Sequence, residues 1–133
     1  MPRYASVNLL KNGPQYLKDN CDKVILTNAY YSTYANVTNG ANKVAECALV
    51  TGDFAIAGAD GAAQVLTATL TGKSMGNALL GVADGTNMHL AFVKTGTSEV
   101  IYVTEESSDQ PITLNNPIQL NSNPTYTSNQ PTA

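Results

Sequence analysis

Apolar residues recur along the chain in short runs, broken at roughly 8–12-residue spacing by Gly, Pro, Asn and Asp, which predicts a series of brief strands joined by turns. The run Lys23-Val24-Ile25-Leu26-Thr27 has β-branched residues and no breaker and reads as a first strand. Residues 43–50 alternate, with Val44, Glu46 and Ala48 on one side and Ala45, Cys47 and Leu49 on the inner side. Phe54-Ala55-Ile56-Ala57 is a short strand between the turns 51–53 and 58–61. Residues 64–71 set Leu66, Ala68 and Leu70 against Val65, Thr67, Thr69 and Thr71, a half-buried strand with a Thr-rich outer face. A loop at 72–77 leads to the apolar run 78–83, which the turn 84–87 stops. Residues 88–93 and 99–104 are strands joined by the hairpin-length link 94–98, with Val100 and Tyr102 opposite to Ile101 and Val103. The segments 111–114 and 117–120 close the ordered pattern.

Helical signal is confined to the start. Pro14 suits a first helical turn, where its missing N–H costs nothing, so residues 14–20 form a short helix; a helix running from about Ser6 and breaking at Gly13-Pro14 is the alternative. Between the first two strands, residues 28–40 carry Tyr30, Tyr31 and Tyr34 among Asn, Ser and Thr, an irregular excursion with one helical turn near 32–35. Residues 121–133 hold no charge and no Leu, Ile, Val or Phe, and carry Pro124 and Pro131. They read as a frayed tail or as an arm that orders on a neighbour. The organisation is therefore an N-terminal arm (1–13), a β-rich domain (14–120) and a C-terminal arm or tail (121–133). The fold class is mainly β: an antiparallel β-sandwich or small barrel with a short N-terminal helix and extended termini.

Composition narrows the partners. Only 13 % of the 133 residues are charged, against roughly 25 % in an average soluble domain. The net charge of −3 gives no basic footprint for nucleic acid or an anionic membrane. No stretch approaches the ~20 apolar residues of a membrane helix. The run from Val7 to Leu10 is too short for a secretory signal core, so no cleaved signal is expected. Cys21 and Cys47, the two cysteines, read as separate thiols, with a disulfide as the alternative.

Candidate chemistry is sparse. His89, the one histidine, sits at the head of an apolar strand and reads as structural. Asp53, Asp60 and Asp84 lie in turns where Asp has its own backbone role, and they lack calcium-loop spacing. Glu105 and Glu106 imitate a glycosidase pair, but adjacent strand-end residues point apart, so they belong to a solvated loop. Gly72-Lys73-Ser74 lacks the earlier glycine of a phosphate loop, because position 67 is Thr. Asn36-Val37-Thr38 matches a glycosylation acceptor, without consequence in the absence of secretion. No catalytic, cofactor-binding or metal-binding residue is assigned, and no enzyme activity or cofactor is expected. Tyr30, Tyr31 and Tyr34 among asparagines suit a partner-binding surface, with protein ahead of sugar, or a cover for the edge of the core.

The stretch Met88-His-Leu-Ala-Phe-Val-Lys-Thr-Gly-Thr-Ser-Glu-Val-Ile-Tyr-Val-Thr104 resembles a strand pair of small virion proteins of tailed bacteriophages. The stretch 17–27 looks like that group's short helix leading into its first strand, and 110–120 like its closing strand pair. The resemblance is one of pattern over about 17–120; residues 72–83 and the neutral tail depart from it. It implies a structural virion protein without catalysis, with head decoration or cementing of the capsid surface as the favoured role. A head–tail connector, a tail component and a glycan-binding module of a fibre are the alternatives. The expected partners are the major capsid protein and further copies of the chain, as a trimer or a dimer. The expected location is the capsid surface of the virion, assembled in the host cytoplasm. Tyr30, Tyr31, Tyr34 and Tyr126 are the candidate contacts.

Overall fold

A computed structural model describes residues 4–5, 13–57, 64–106 and 110–128. The turn expected at 58–61, most of the N-terminal arm, residues 107–109 and the last five residues lie outside the described residues. Among the described residues, ten strands fall into three antiparallel sheets. In chain order they are β1 (Tyr4–Ala5), β2 (Lys23–Thr27), β3 (Lys43–Ala48), β4 (Phe54–Ala57), β5 (Gln64–Ala68), β6 (Ser74–Asn77), β7 (His89–Lys94), β8 (Glu99–Glu105), β9 (Pro117–Gln119) and β10 (Thr125–Ser128). The large sheet has the order β1-β8-β7-β2-β3, the second β10-β5-β4, and the third pairs β6 with β9. Among the described residues the sheets close into no barrel.

The helix α1 (Pro14–Asn20) forms where the sequence places it. Pro14 occupies its first turn, and Gly13 precedes it at φ +66°, a left-handed conformation that glycine adopts without a Cβ penalty. Its Leu17 enters the main core with Val24 and Leu26 of β2, Leu90 and Phe92 of β7, and Phe54, Leu66 and Ala68 of the second sheet. Phe92 is 1 % exposed and stands edge-on to Phe54 and stacked with Tyr102. Each such side chain contributes ~1.5–3 kcal/mol by leaving water.

The central strands of the large sheet are buried on both faces. On the far face Ile25, Ala91, Val93, Val100 and Val103 form a second cluster around Val37. Val37 belongs to the single helical turn α2 (Tyr34–Val37) of the excursion 28–42, which lies across that face. The turn lies two residues later than the sequence suggested.

Bulges revise two alternation patterns. A register shift between Phe92 and Val93 makes Ile101 an extra residue of β8. Ile101 and Tyr102 therefore both join the main core, while Val100 and Val103 face the second cluster. A shift between Leu26 and Thr27 likewise turns Val44 of β3 inward beside Ala45. The segment 72–77, expected to be a loop, contains β6: Ser74 and Asn77 pair with β9, Met75 is buried, and Gly76 at φ +73° forms the bulge. Glu106, expected in a solvated loop, is 6 % exposed. Its N–H donates to Met88 O at 2.9 Å, extending the β7–β8 ladder by one step. Alternation then turns its side chain to the opposite face from Glu105. The apolar run 78–83 follows no regular strand; it is tied to 112–116 through the Val82–Ile112 bridge.

The neutral C-terminal segment, read as a tail or an arm for a neighbour, pairs within its own chain. Thr125–Ser128 is the outer strand β10 against β5. Asn123 Oδ1 accepts from Leu70 N at 2.9 Å, Thr71 N at 3.1 Å and Thr71 Oγ1 at 2.9 Å, and Tyr102 Oη donates to Thr125 O at 3.1 Å. Cys21 and Cys47 are free thiols. No helix among the described residues is long and apolar enough to cross a membrane.

Candidate functional site

The asparagines and threonines that make the tyrosine excursion look like a ligand surface are largely its internal bracing. Thr33 caps α2 by accepting from Asn36 N at 3.3 Å. Asn39 Oδ1 accepts from Ala41 N at 2.9 Å, Asn28 Nδ2 donates to Ala41 O at 3.1 Å, and Asn42 Nδ2 donates to Asn36 O at 3.0 Å. Thr38 Oγ1 donates to Tyr34 O at 2.7 Å. A short segment that cannot use a sheet ladder satisfies its backbone with these short polar side chains.

The three tyrosines of this segment divide by role. Tyr31 and Tyr34 are half-buried against the second cluster, and Tyr31 Oη donates to Asn28 Oδ1 at 2.9 Å. Tyr30 is 37 % exposed and stands edge-on to His89, with ring centres 5.7 Å apart. Tyr126 is not brought to this group. It belongs to β10 in the opposite layer, where it packs against the main core, edge-on to Tyr102 at 5.1 Å. Burial pushes its phenol up from the ordinary value, and Tyr102 adds to the shift.

His89 is 2 % exposed. Its Nδ1 lies 3.0 Å from Asn87 O, an atom that can only accept, so Nδ1 is the donor in this contact. Nε2 has no hydrogen-bond partner among the described residues. Burial raises the Cys21 thiol to about 12 and raises Cys47 as well, so neither holds a reactive thiolate at neutral pH. No group of three or more His, Cys, Asp or Glu among the described residues is placed to hold a metal ion.

Two surfaces stand out that the sequence alone did not delimit. The outer face of the second sheet is a small uncharged grid. In one row Ala55 of β4, Thr67 of β5 and Thr125 of β10 lie side by side; in the next, Ala57, Val65 and Thr127 do. All six are exposed or half-buried. The Thr alternation in 64–71 signalled the middle strand, but nothing in the sequence showed that β10 would extend it. The other feature is a cleft of about 270 Å³ beneath the chain 110–121, with Leu26, Met88 and Leu120 as its floor and Glu106 in its wall. Compared with protein-family models, curated proteins and solved structures, the chain finds no match.

Proposed function

We propose that the protein is a structural component of a tailed-bacteriophage virion that binds and stabilises the capsid surface as a decoration or cement protein. The observation that carries this reading is the uncharged sheet face of Ala55, Ala57, Val65, Thr67, Thr125 and Thr127. Such a face costs little to desolvate compared with an ionised one, and a flat scaffold presents it rigidly. The resemblance of 17–120 to small phage virion proteins supports the same role. The expected partner is the major capsid protein, with exposed Tyr30 as a further contact on the opposite layer.

The face covers about 190 Å², taking three strands ~4.8 Å apart and four residues at ~3.3 Å each. That is about a quarter of the ~800 Å² per partner of a standard interface. A single contact of this size is weak, and many copies on one repeating shell make it effective. The test is shell stability. Virions assembled without the protein should rupture at lower temperature or lower osmotic stress, and adding it back should restore them. Placing Lys at position 67 should abolish the rescue, because the charge must be desolvated in the contact. Equal rupture with and without the protein would overturn the reading.

A further inference from the structure

The turn that leads from the tyrosine excursion into β3 carries a chemistry that the virion reading does not use. Asn39 and Gly40 are both exposed there. Among the described residues Asn39 is the one asparagine followed by glycine. A backbone nitrogen attacks the preceding carboxamide most readily when it belongs to glycine, which has no Cβ to crowd the approach. A larger side chain follows Asn28, Asn36 and Asn42, and the proline after Asn116 and Asn123 has no N–H to give up.

The structure prepares this pair for reaction. The Gly40 N–H makes no hydrogen bond among the described residues, so none has to break before its nitrogen acts as a nucleophile. Asn39 Oδ1 accepts from Ala41 N at 2.9 Å, which folds the carboxamide over the Asn39–Gly40 peptide, toward the nitrogen that attacks it. The same N–H stabilises negative charge as it develops on Oδ1. What opposes ring closure is the Asn39 carbonyl, which accepts from Asn42 N and Lys43 N, both at 2.9 Å. The turn must therefore open locally, and residues 38–43 have no buried side chain to hold it shut. We propose that Asn39 is a site of self-modification in the folded chain. Gly40 N attacks Asn39 Cγ and passes its proton to water, the Cγ–Nδ2 bond breaks, and ammonia leaves a succinimide ring. Water then opens the ring at either carbonyl, giving aspartate or isoaspartate with no oxidant or cofactor. Either product adds a negative charge to a chain of net charge −3. Isoaspartate also routes the backbone through the former side chain, which displaces the carbonyl that holds Asn42 N and Lys43 N and loosens the entry to β3. The inference is independent of the virion reading.

The test is incubation of the folded full chain at pH 8 and physiological temperature, followed by peptide mapping with mass spectrometry. The mass gain of an amide-to-acid change should appear at Asn39 ahead of every other described asparagine, and an isoaspartyl methyltransferase should label the same peptide. Gly40→Ala is the control: a Cβ built at Gly40 meets nothing within 4 Å, so the fold admits it. The added methyl crowds the attacking nitrogen and should slow the reaction by about tenfold, as ~1.4 kcal/mol on the barrier does. In the isoaspartate product the Asn42 and Lys43 amides should exchange hydrogen faster than in the unmodified chain. Modification of Asn39 no faster than of Asn28 or Asn36, an equal rate in Gly40→Ala, reaction only in the urea-unfolded chain, or unchanged exchange at Asn42 and Lys43 would overturn the proposal.

Discussion

One side chain of the C-terminal segment takes three hydrogen bonds just ahead of β10, so Asn123→Ala is a sharp perturbation. Asn123 Oδ1 accepts three hydrogen bonds, from Leu70 N, Thr71 N and Thr71 Oγ1. The two residues that lose the acceptor differ in what replaces it. Thr71 is exposed, so water takes over at small net cost. Leu70 is fully buried in the native chain, and its N–H would lose its protein acceptor at a part-buried position. An orphaned buried donor costs ~1–3 kcal/mol, and this one lies at the exit of β5, next to the strand that β10 pairs with. At this chain length a loss of ~2 kcal/mol lowers the melting temperature by roughly 6–10 °C. Circular dichroism melts check the magnitude, and amide hydrogen exchange locates it: the amides of β10 should lose protection ahead of those of β7. Asn123→Asp keeps an acceptor at the same place and should cost less than ~1 kcal/mol. A change below ~0.5 kcal/mol in Asn123→Ala, with β10 protected as before, would refute the reasoning.

Two further outcomes follow from burial. Ellman's reagent at pH 8 should label Cys47 before Cys21, and Cys21 only as fast as the protein opens. The Cys21 thiol ionises at about 12 when folded against an ordinary 9.0, so its contribution to stability is complete below pH 9 and is lost as pH rises through 12. The stability margin of the native chain over Cys21→Ala in urea unfolding should therefore be constant below pH 9 and narrow above it; a margin that widens there would contradict the burial argument. The tyrosines of the excursion should separate by role. Tyr30→Ala should change stability by less than ~1 kcal/mol while weakening capsid attachment, whereas Tyr31→Phe should lose ~0.5–1.5 kcal/mol with its bond to Asn28, and attachment unchanged in Tyr30→Ala would remove that residue from the contact.

Most of the strands were legible, for a plain physical reason. Val24-Ile25-Leu26 and Leu90-Ala91-Phe92-Val93 are apolar throughout because both faces of the large sheet are covered, so their pattern survives any choice of inner side. Pro14 likewise marks its helix by local chemistry. What was not legible depends on partners distant in sequence. The bulge at Ile101 is set by pairing with β7, and no local signal in Val100-Ile101-Tyr102-Val103 reveals it. Ser74-Met75-Gly76-Asn77 has poor strand propensity and is ordered by β9, some forty residues later. Thr125-Tyr126-Thr127-Ser128 read as tail because it lacks aliphatic residues, yet an edge strand of a small sheet needs only one inward ring, and Tyr126 supplies it. At the candidate sites, the Tyr- and Asn-rich composition of 28–42 was visible, but composition does not separate bracing from contact. Glu106 gave no signal, since its burial follows from one extra ladder step after β8.

The central claim is that many copies of this protein cover a capsid. Quantitative mass spectrometry of virus particles purified from cells that produce this protein tests this proposal most directly. Hundreds of copies per particle, in fixed ratio to the major capsid protein, are expected. About a dozen copies would move the protein to the head–tail junction or tail, and its absence from the particle would contradict the account.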